Sequence, residues 1–185
     1  MSAWCLVHAR RALGTMRSSP RLSQSQGMTT LADRYWQQYL AALSPEARPL
    51  EPYLEAFHFA YTRQRANELA DLVLSGVKTA TNSILWVAEL EGRPLPGVGQ
   101  LSIVTDGDHV PVCVIETTEV SVRPFDDVDA VFAFDTGEGG RSLEEWREGY
   151  GAYLAAECAR HGREPSPRTL MVCERFRVVY RAPLA

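Results

Sequence analysis

A lysine and two threonines follow the end of a predicted amphipathic helix, in the sequence GVKTAT at residues 76–81. Lys78 carries an amine whose pKa falls readily on burial, and the Thr81 hydroxyl can act as a nucleophile when a base lies nearby. Gly76 stands where a helix ends, because glycine takes the left-handed conformation without steric cost. The segment therefore predicts a small site for anion binding or catalysis. A lysine that merely contacts the last helix carbonyl groups is the more common arrangement, and the spacing alone favours it.

Five further side chains are candidates for binding a substrate near this junction. An indole can stack on a base, an arginine can hold a phosphate, and a hydroxyl residue at a helix start marks an anion site. Each also has a simpler role, in the core, in solvent or as a helix cap. The candidates are Asn82, Ser83, Trp86, Arg141 and Ser142.

The charge distribution limits the partners of the chain. Residues 1–27 hold four arginines and no acid, so the remaining residues carry 15 basic and 23 acidic side chains, a net charge of −8. Such a body does not attract nucleic acid at long range as a basic protein does. Any RNA must bind through a local basic cleft, unless the ligand is as small as a nucleoside.

Cysteine spacing and hydropathy indicate no metal centre, disulfide or membrane span. The four cysteines are far apart and form no Cys-x-x-Cys pair or Cys/His cluster. The sequence also has no apolar run of the roughly 18 residues that a membrane span needs. We expect free thiols, no disulfide partner and a cytoplasmic protein, and the sequence leaves the oligomeric state open.

The predicted elements are helices and hairpin-linked strands, which favours an α+β fold over repeated βαβ units. Helices are predicted to start after the caps Thr30, Thr62 and Ser142, the last within a capping box. Strands are predicted at residues 57–61, 80–87, 100–105, 110–120 and 171–180.

Residues 66–81 resemble the signature of the ASCH domain family, relatives of the PUA-like RNA-binding barrels. Three more segments resemble the family's motifs in the same order, at residues 96–99, 124–128 and 137–146, and a final strand at 176–180 also fits. The resemblance implies a PUA-like, mixed and mostly antiparallel β-barrel flanked by helices. It places the ASCH domain at residues 57–185. Residues 28–56 are then a helix and extended linker that pack on it, and residues 1–27 a disordered leader.

The resemblance also implies a hydrolytic site. In some small members a Lys, a Thr and a downstream acid form the catalytic set of an amidohydrolase that removes acetyl from N4-acetylcytidine. Lys78 and Thr81 match that set, and Glu138 is the best match for the acid, although it can equally be a solvated carboxylate near a helix start.

The length of the chain is closer to a longer bacterial branch, which includes a ribonuclease. We therefore predict a protein that binds RNA or a modified nucleotide and cleaves single-stranded RNA, with a divalent metal as a possible cofactor of that reaction alone. The alternatives are an N4-acetylcytidine-type amidohydrolase and a non-catalytic RNA-binding module.

Overall fold

A computed structural model describes residues 30–182 of the chain, so the expected leader at residues 1–27 lies outside the described part. One sheet of five strands is surrounded by helices, which confirms the α+β class. Short 3-10 turns at Pro45–Ala47 and Phe125–Asp127 complete the elements. The helices are α1 Leu31–Ala42, α2 Arg63–Leu74, α3 Leu85–Leu90, α4 Ala130–Asp135 and α5 Leu143–Arg160, and the strands are β1 Ala56–Phe57, β2 Ala80–Ile84, β3 Leu101–Thr105, β4 Pro111–Pro124 and β5 Leu170–Tyr180.

The sheet is mixed and mostly antiparallel, as the resemblance implied. Its strand order is β1-β3-β4-β5-β2, with β1 parallel to β3 and the other neighbours antiparallel. The longest strands, β4 and β5, lie at its centre. The edges are therefore β1 and β2, which come from the two sides of α2 in the sequence.

The predicted closure of this sheet into a barrel is wrong. Within residues 30–182 the two edge strands do not pair with each other. The cause is the length of β1, which holds two residues, where the sequence predicted a strand over residues 57–61. Phe59 and Ala60 leave the sheet and pack with Leu69 and Val73 of α2 instead. The gap between the edges remains open on that side.

The turn after α2 confirms the predicted helix boundaries. Thr62 caps the start by accepting a hydrogen bond from the Arg65 amide, 3.3 Å away. At the other end Gly76 has a φ of +74°. The amides of Val77 and Lys78 then both donate to the carbonyl of Leu72, each at 2.9 Å. This Schellman-type end turns the chain sharply, so that Lys78 enters the interior directly after the helix.

The predicted strand over residues 80–87 ends early. β2 stops at Ile84, and Leu85–Leu90 forms α3, whose Val87 and Ala88 are buried while Leu90 is exposed. Leu, Ala and Glu in this segment are good helix formers, and one-sided burial satisfies a helix as well as a strand. The apolar pattern of this short segment therefore did not distinguish a helix from a strand.

Two helices cover opposite parts of the sheet with aromatic side chains. One face of α5, which includes Trp146 and Tyr150, is buried against β2 and β5. α1 packs Tyr35, Trp36 and Tyr39 on β3 and β4. These contacts hold the site-bearing strands between two helical layers.

Three cysteines of the described part, Cys113, Cys158 and Cys173, are buried free thiols. Among residues 30–182 no helix has the length and apolar character needed to cross a bilayer.

Candidate functional site

Lys78 lies fully inside the molecule, directly after the turn that ends α2. Its exposed fraction is 1%. Its Nζ donates three hydrogen bonds, to the carbonyl of Ala80 at 3.0 Å, the carbonyl of Thr136 at 3.2 Å and Oε1 of Glu138 at 2.6 Å. The Phe59 ring lies on another side, with its centroid 5.0 Å from Nζ. All three protons of the ammonium group therefore have an acceptor.

Glu138 reaches Lys78 because two loops touch at the backbone. Gly137, in the loop between α4 and α5, has a φ of +74°. A Cβ at this position would lie 2.6 Å from the Val77 carbonyl oxygen and 2.7 Å from the Lys78 Cα. A glycine is therefore required for this approach. The following residue then places its carboxylate on Nζ.

A second cation covers the outer side of the same carboxylate. Arg65, in the first turn of α2, donates from Nη2 to Oε2 of Glu138 at 3.0 Å. Its side chain is 29% exposed, whereas that of Glu138 is 3% exposed. Glu138 thus lies between an internal amine and a guanidinium at the surface.

Burial shifts both members of the Lys78–Glu138 pair toward their neutral forms. It lowers the pKa of Lys78, and the charge of Glu138 opposes that shift. It raises the pKa of Glu138, against the charges and hydrogen bonds of Lys78 and Arg65. Burial therefore brings the pKa values of the two groups closer together than in an exposed ion pair.

Thr81 is buried on β2, one residue after the carbonyl that Lys78 contacts. Its side chain interacts with that of Tyr150 from α5. Burial holds the pKa of Tyr150 well above its usual range, so the phenol stays neutral and can orient the threonine hydroxyl. The structure thus brings the three residues of the predicted catalytic set into one region, with Lys78 and Glu138 in direct contact.

A small cavity opens between the two edges of the sheet, beside Thr81. Its volume is about 40 Å³, and its wall includes Phe57 of β1, Thr81 and Ser83 of β2, and Glu174 of β5. The failure of β1 and β2 to pair leaves this space. Of the predicted catalytic set, Thr81 belongs to the wall of this cavity, whereas Lys78 and Glu138 do not.

Two of the predicted binding residues border this cavity. Ser83 is partly buried, and Asn82 is buried with neither amide atom hydrogen-bonded to any group within residues 30–182. The strand register sets Asn82 opposite Cys173, on the sheet face that packs against α5. A buried amide without partners is costly, but this side chain lies on the sheet face opposite to Thr81 and Glu174, so its role in binding stays a prediction.

The other three predicted binding residues have local contacts away from the cavity wall. Arg141 stacks over the Phe134 ring, 3.5 Å from its centroid, and Ser142 caps α5 by accepting from the Glu145 amide at 3.2 Å. Trp86 borders a separate surface depression, where Arg163 lies 4.4 Å from the indole centroid. Their role in binding stays a prediction.

A family model for the ASCH domain matches residues 55–180. The chain belongs to the ASCH domain family. ASCH domains have a PUA-like fold, which is associated with RNA binding. The resemblance noted in the sequence is thereby confirmed.

Two solved structures are similar to this ASCH domain. One is an ASCH domain from Lactobacillus crispatus JV V101, with a TM-score of 0.78 and 36% identity over 84% of this chain and 98% of that chain. The other is a protein from Enterococcus faecalis V583, with a TM-score of 0.71 and 33% identity over 82% of this chain and 90% of that chain. No curated protein matches the sequence.

Sequence reasoning missed three residues of this ASCH domain site: Arg65, Tyr150 and Glu174. Arg65 and Tyr150 belong to helices whose periodicity indicated packing alone. Glu174 had a detectable signal, because it is an acid in the alternating strand β5 on the same face as the buried Val172 and Phe176. Among residues 30–182 no group of three or more His, Cys, Asp or Glu side chains is arranged to hold a metal ion.

Proposed function

We propose that this ASCH domain hydrolyses the amide bond of a small acylated nucleobase of the N4-acetylcytidine type, free or within RNA. The observation that carries the proposal is the buried 2.6 Å contact between Lys78 Nζ and Glu138 Oε1, next to the strand that bears Thr81. An amine and a carboxyl that exchange a proton supply a base and an acid in one place.

The residue types support a base role for position 78. Lys78 is the only lysine in the chain, and the other 18 basic residues are arginines. A guanidinium cannot lose its proton at accessible pH, whereas a buried amine can. The side chain that the fold buries at this position is thus the one cationic type that can become neutral.

In the proposed reaction the Thr81 hydroxyl attacks the acyl carbon. Its proton passes to the neutral amine of Lys78. To reach the Thr81 hydroxyl, this amine gives up its hydrogen bond to the carbonyl of Ala80, the preceding residue of β2. The C–N bond then breaks, and the Glu138 carboxyl gives its proton to the leaving nitrogen. Water finally attacks the acyl-threonine ester and gives a proton to the Glu138 carboxylate, while the Lys78 ammonium returns its proton to the leaving threonine oxygen and the acid is released. Tyr150 orients the threonine, and Arg65 favours the ionised form of Glu138 that remains after proton transfer.

A small substrate suits the site better than an RNA phosphodiester. Lys78 is 1% exposed and its three donors are occupied, so it does not present its charge to a phosphate in a groove. The adjacent cavity of about 40 Å³ admits a group of a few atoms. The ribonuclease prediction therefore has less support, although it remains testable in the same experiment.

The test compares two substrates with the full chain. N4-acetylcytidine turnover and cleavage of a labelled single-stranded RNA are each measured with and without divalent metal. We expect release of cytidine and acetate, and intact RNA. Cleaved RNA without deacetylation would support the ribonuclease, and the absence of both activities would support a binding module.

A further inference from the structure

We propose that Glu174 is a substrate-binding residue, whose carboxyl donates a hydrogen bond to an uncharged carbonyl or amide group of a ligand in the cavity beside Thr81. The inference rests on the proposed function in one respect, the position of the ligand beside Thr81. It concerns binding, however, and does not depend on which residues carry out the hydrolysis.

Strand pairing places Glu174 next to the proposed nucleophile. In the antiparallel register of β2 and β5, Thr81 lies directly opposite Glu174. Directly opposed side chains share a sheet face, with Cβ atoms about 4.5–5.5 Å apart. Both residues also belong to the wall of the same cavity. A ligand group that reaches Thr81 therefore meets the carboxyl of Glu174.

The hydrogen bonds of Glu174 leave one of its oxygens to serve as a donor. Thr117 Oγ1 donates to Oε1 at 2.6 Å, which fixes that oxygen as an acceptor. Burial is the main cause that raises the pKa of Glu174 to about 7, and the negative charge of Glu55 adds to it. Near neutral pH a large fraction of the carboxyl is therefore protonated. Because Oε1 accepts from Thr117, the proton belongs on Oε2 and can be given to a ligand.

The charges around the cavity favour an uncharged ligand group. The charged or titratable residues of its wall are Glu55, Arg93 and Glu174. Arg93 donates from Nε to the Glu91 carboxylate at 2.6 Å, which partly neutralises it. With Glu174 neutral, the wall holds one carboxylate and one guanidinium paired with Glu91, so it carries no net positive charge for a phosphate but offers a hydrogen-bond donor to a neutral carbonyl.

The size of the cavity limits what enters it. Its volume of about 40 Å³ is a few times the roughly 10–15 Å³ that a cavity needs to hold one water. There is room for an acyl group or for the amide-like edge of a base, and the remainder of the nucleoside stays outside. The chemical class is thus an exocyclic amide or a base edge that presents a carbonyl-type acceptor.

The experiment measures binding by isothermal titration calorimetry at about pH 6 and about pH 8, with N4-acetylcytidine, cytidine and inorganic phosphate as separate probes. If the neutral carboxyl is needed, the apparent Kd follows the neutral fraction of Glu174. With a pKa of about 7, N4-acetylcytidine then binds about tenfold more weakly at the higher pH. Phosphate is expected not to bind in the cavity.

Three variants test whether the pH dependence of N4-acetylcytidine binding comes from Glu174. Glu174→Gln keeps an acceptor for Thr117 and a permanent donor, so its affinity should differ less than twofold between the two pH values. Glu174→Val removes the donor and should bind about tenfold or more weakly at both. Glu55→Gln removes a negative charge that raises the pKa of Glu174, so the midpoint of the pH dependence should move to lower pH.

The outcomes separate this inference from the proposed function. Lys78→Met should abolish turnover while N4-acetylcytidine binding keeps its pH dependence. If the wild type binds N4-acetylcytidine with the expected pH dependence but does not turn it over, the proposed hydrolase activity is refuted and the binding role of Glu174 stands. Turnover with pH-independent binding, an unchanged pH dependence in Glu174→Gln, or no binding of either nucleoside at the lower pH would overturn the inference.

Discussion

At the scale of single residues, the centre of the site is a buried pair of an amine and a carboxyl group. Lys78 and Glu138 are 60 positions apart in the sequence and 2.6 Å apart in space. Sequence chemistry picked out Lys78 and Thr81 from their local pattern, and the family resemblance supplied Glu138. Arg65 could not be found in that way, because its contact with Glu138 spans 73 residues. The alternation of β5 marked Glu174 as an acid on a buried face, but not its position opposite Thr81.

The protonation of Lys78 can be measured directly, because one lysine gives one signal. With isotope-labelled lysine, NMR should report a pKa below the ordinary value, since burial disfavours the ammonium form. Glu138→Gln removes the carboxylate that favours this ammonium, so the pKa of Lys78 should fall further. A normal lysine pKa in the wild type, or a rise in the variant, would contradict the buried-pair account.

Glu174 should make stability depend on pH in a defined direction. Its folded pKa of about 7 lies above the unfolded value of 4.5. The folded state therefore holds a proton that the unfolded state has lost, and the free energy of unfolding falls as pH rises from about 5 to about 8. The loss is about 1–3 kcal/mol, reduced by the partial exposure of the carboxyl. The free energy of unfolding, measured in urea over this pH range, should change less with pH for Glu174→Gln than for the wild type. An identical pH dependence of both proteins would refute the role of Glu174.

At the scale of elements, local chemistry determined the ends of α2 and α5 but not the shape of the sheet. Thr62, Gly76 and Ser142 act where the sequence placed them, because caps and left-handed turns depend on neighbouring residues. The end of β2 and the shortness of β1 depend on tertiary packing, which periodicity does not report. The open edge that forms the cavity was therefore not predictable.

Two glycines with the same backbone angle provide a matched test of the loop contact. Gly76 and Gly137 both have a φ of +74°. An added Cβ meets nothing within 4 Å at Gly76 but lies 2.6 Å from the Val77 carbonyl oxygen at Gly137. Gly76→Ala should cost about 1 kcal/mol of backbone strain. Gly137→Ala should cost about 1–3 kcal/mol more, because backbone must move.

Urea unfolding measures both costs, and turnover of N4-acetylcytidine measures the effect on the site. We expect Gly137→Ala to lose activity and Gly76→Ala to retain most of it. Equal effects on stability and activity would mean that the close approach at Gly137 does not hold Glu138 against Lys78.

At the scale of the whole molecule, charge argues for local recognition. Outside residues 1–27 the chain carries a net charge of −8, and its one lysine is buried. Amino-acid composition alone supports this conclusion, because long-range electrostatics depend on total charge more than on fold. The fold adds the small cavity beside Thr81, which suits a small group.

The salt dependence of RNA binding tests this expectation of local recognition. Fluorescence anisotropy of a labelled single-stranded RNA should give modest affinity, and the slope of log affinity against log salt should correspond to about three phosphates or fewer. At the site, Arg65 and Arg93 are each already paired with a carboxylate. A slope that corresponds to about eight or more phosphates would indicate an extended basic surface and would favour the strand-binding alternatives.

The most direct test of the central claim is the kcat/KM of Thr81→Ala for N4-acetylcytidine relative to the wild type. If Thr81 is the nucleophile beside the Lys78–Glu138 pair, the substitution should lower kcat/KM by a factor of about a hundred or more, close to the effect of Lys78→Met. The unfolding free energy is measured alongside, so that the comparison uses folded protein. A loss of about tenfold or less would show that Thr81 only positions the substrate, and would contradict the account.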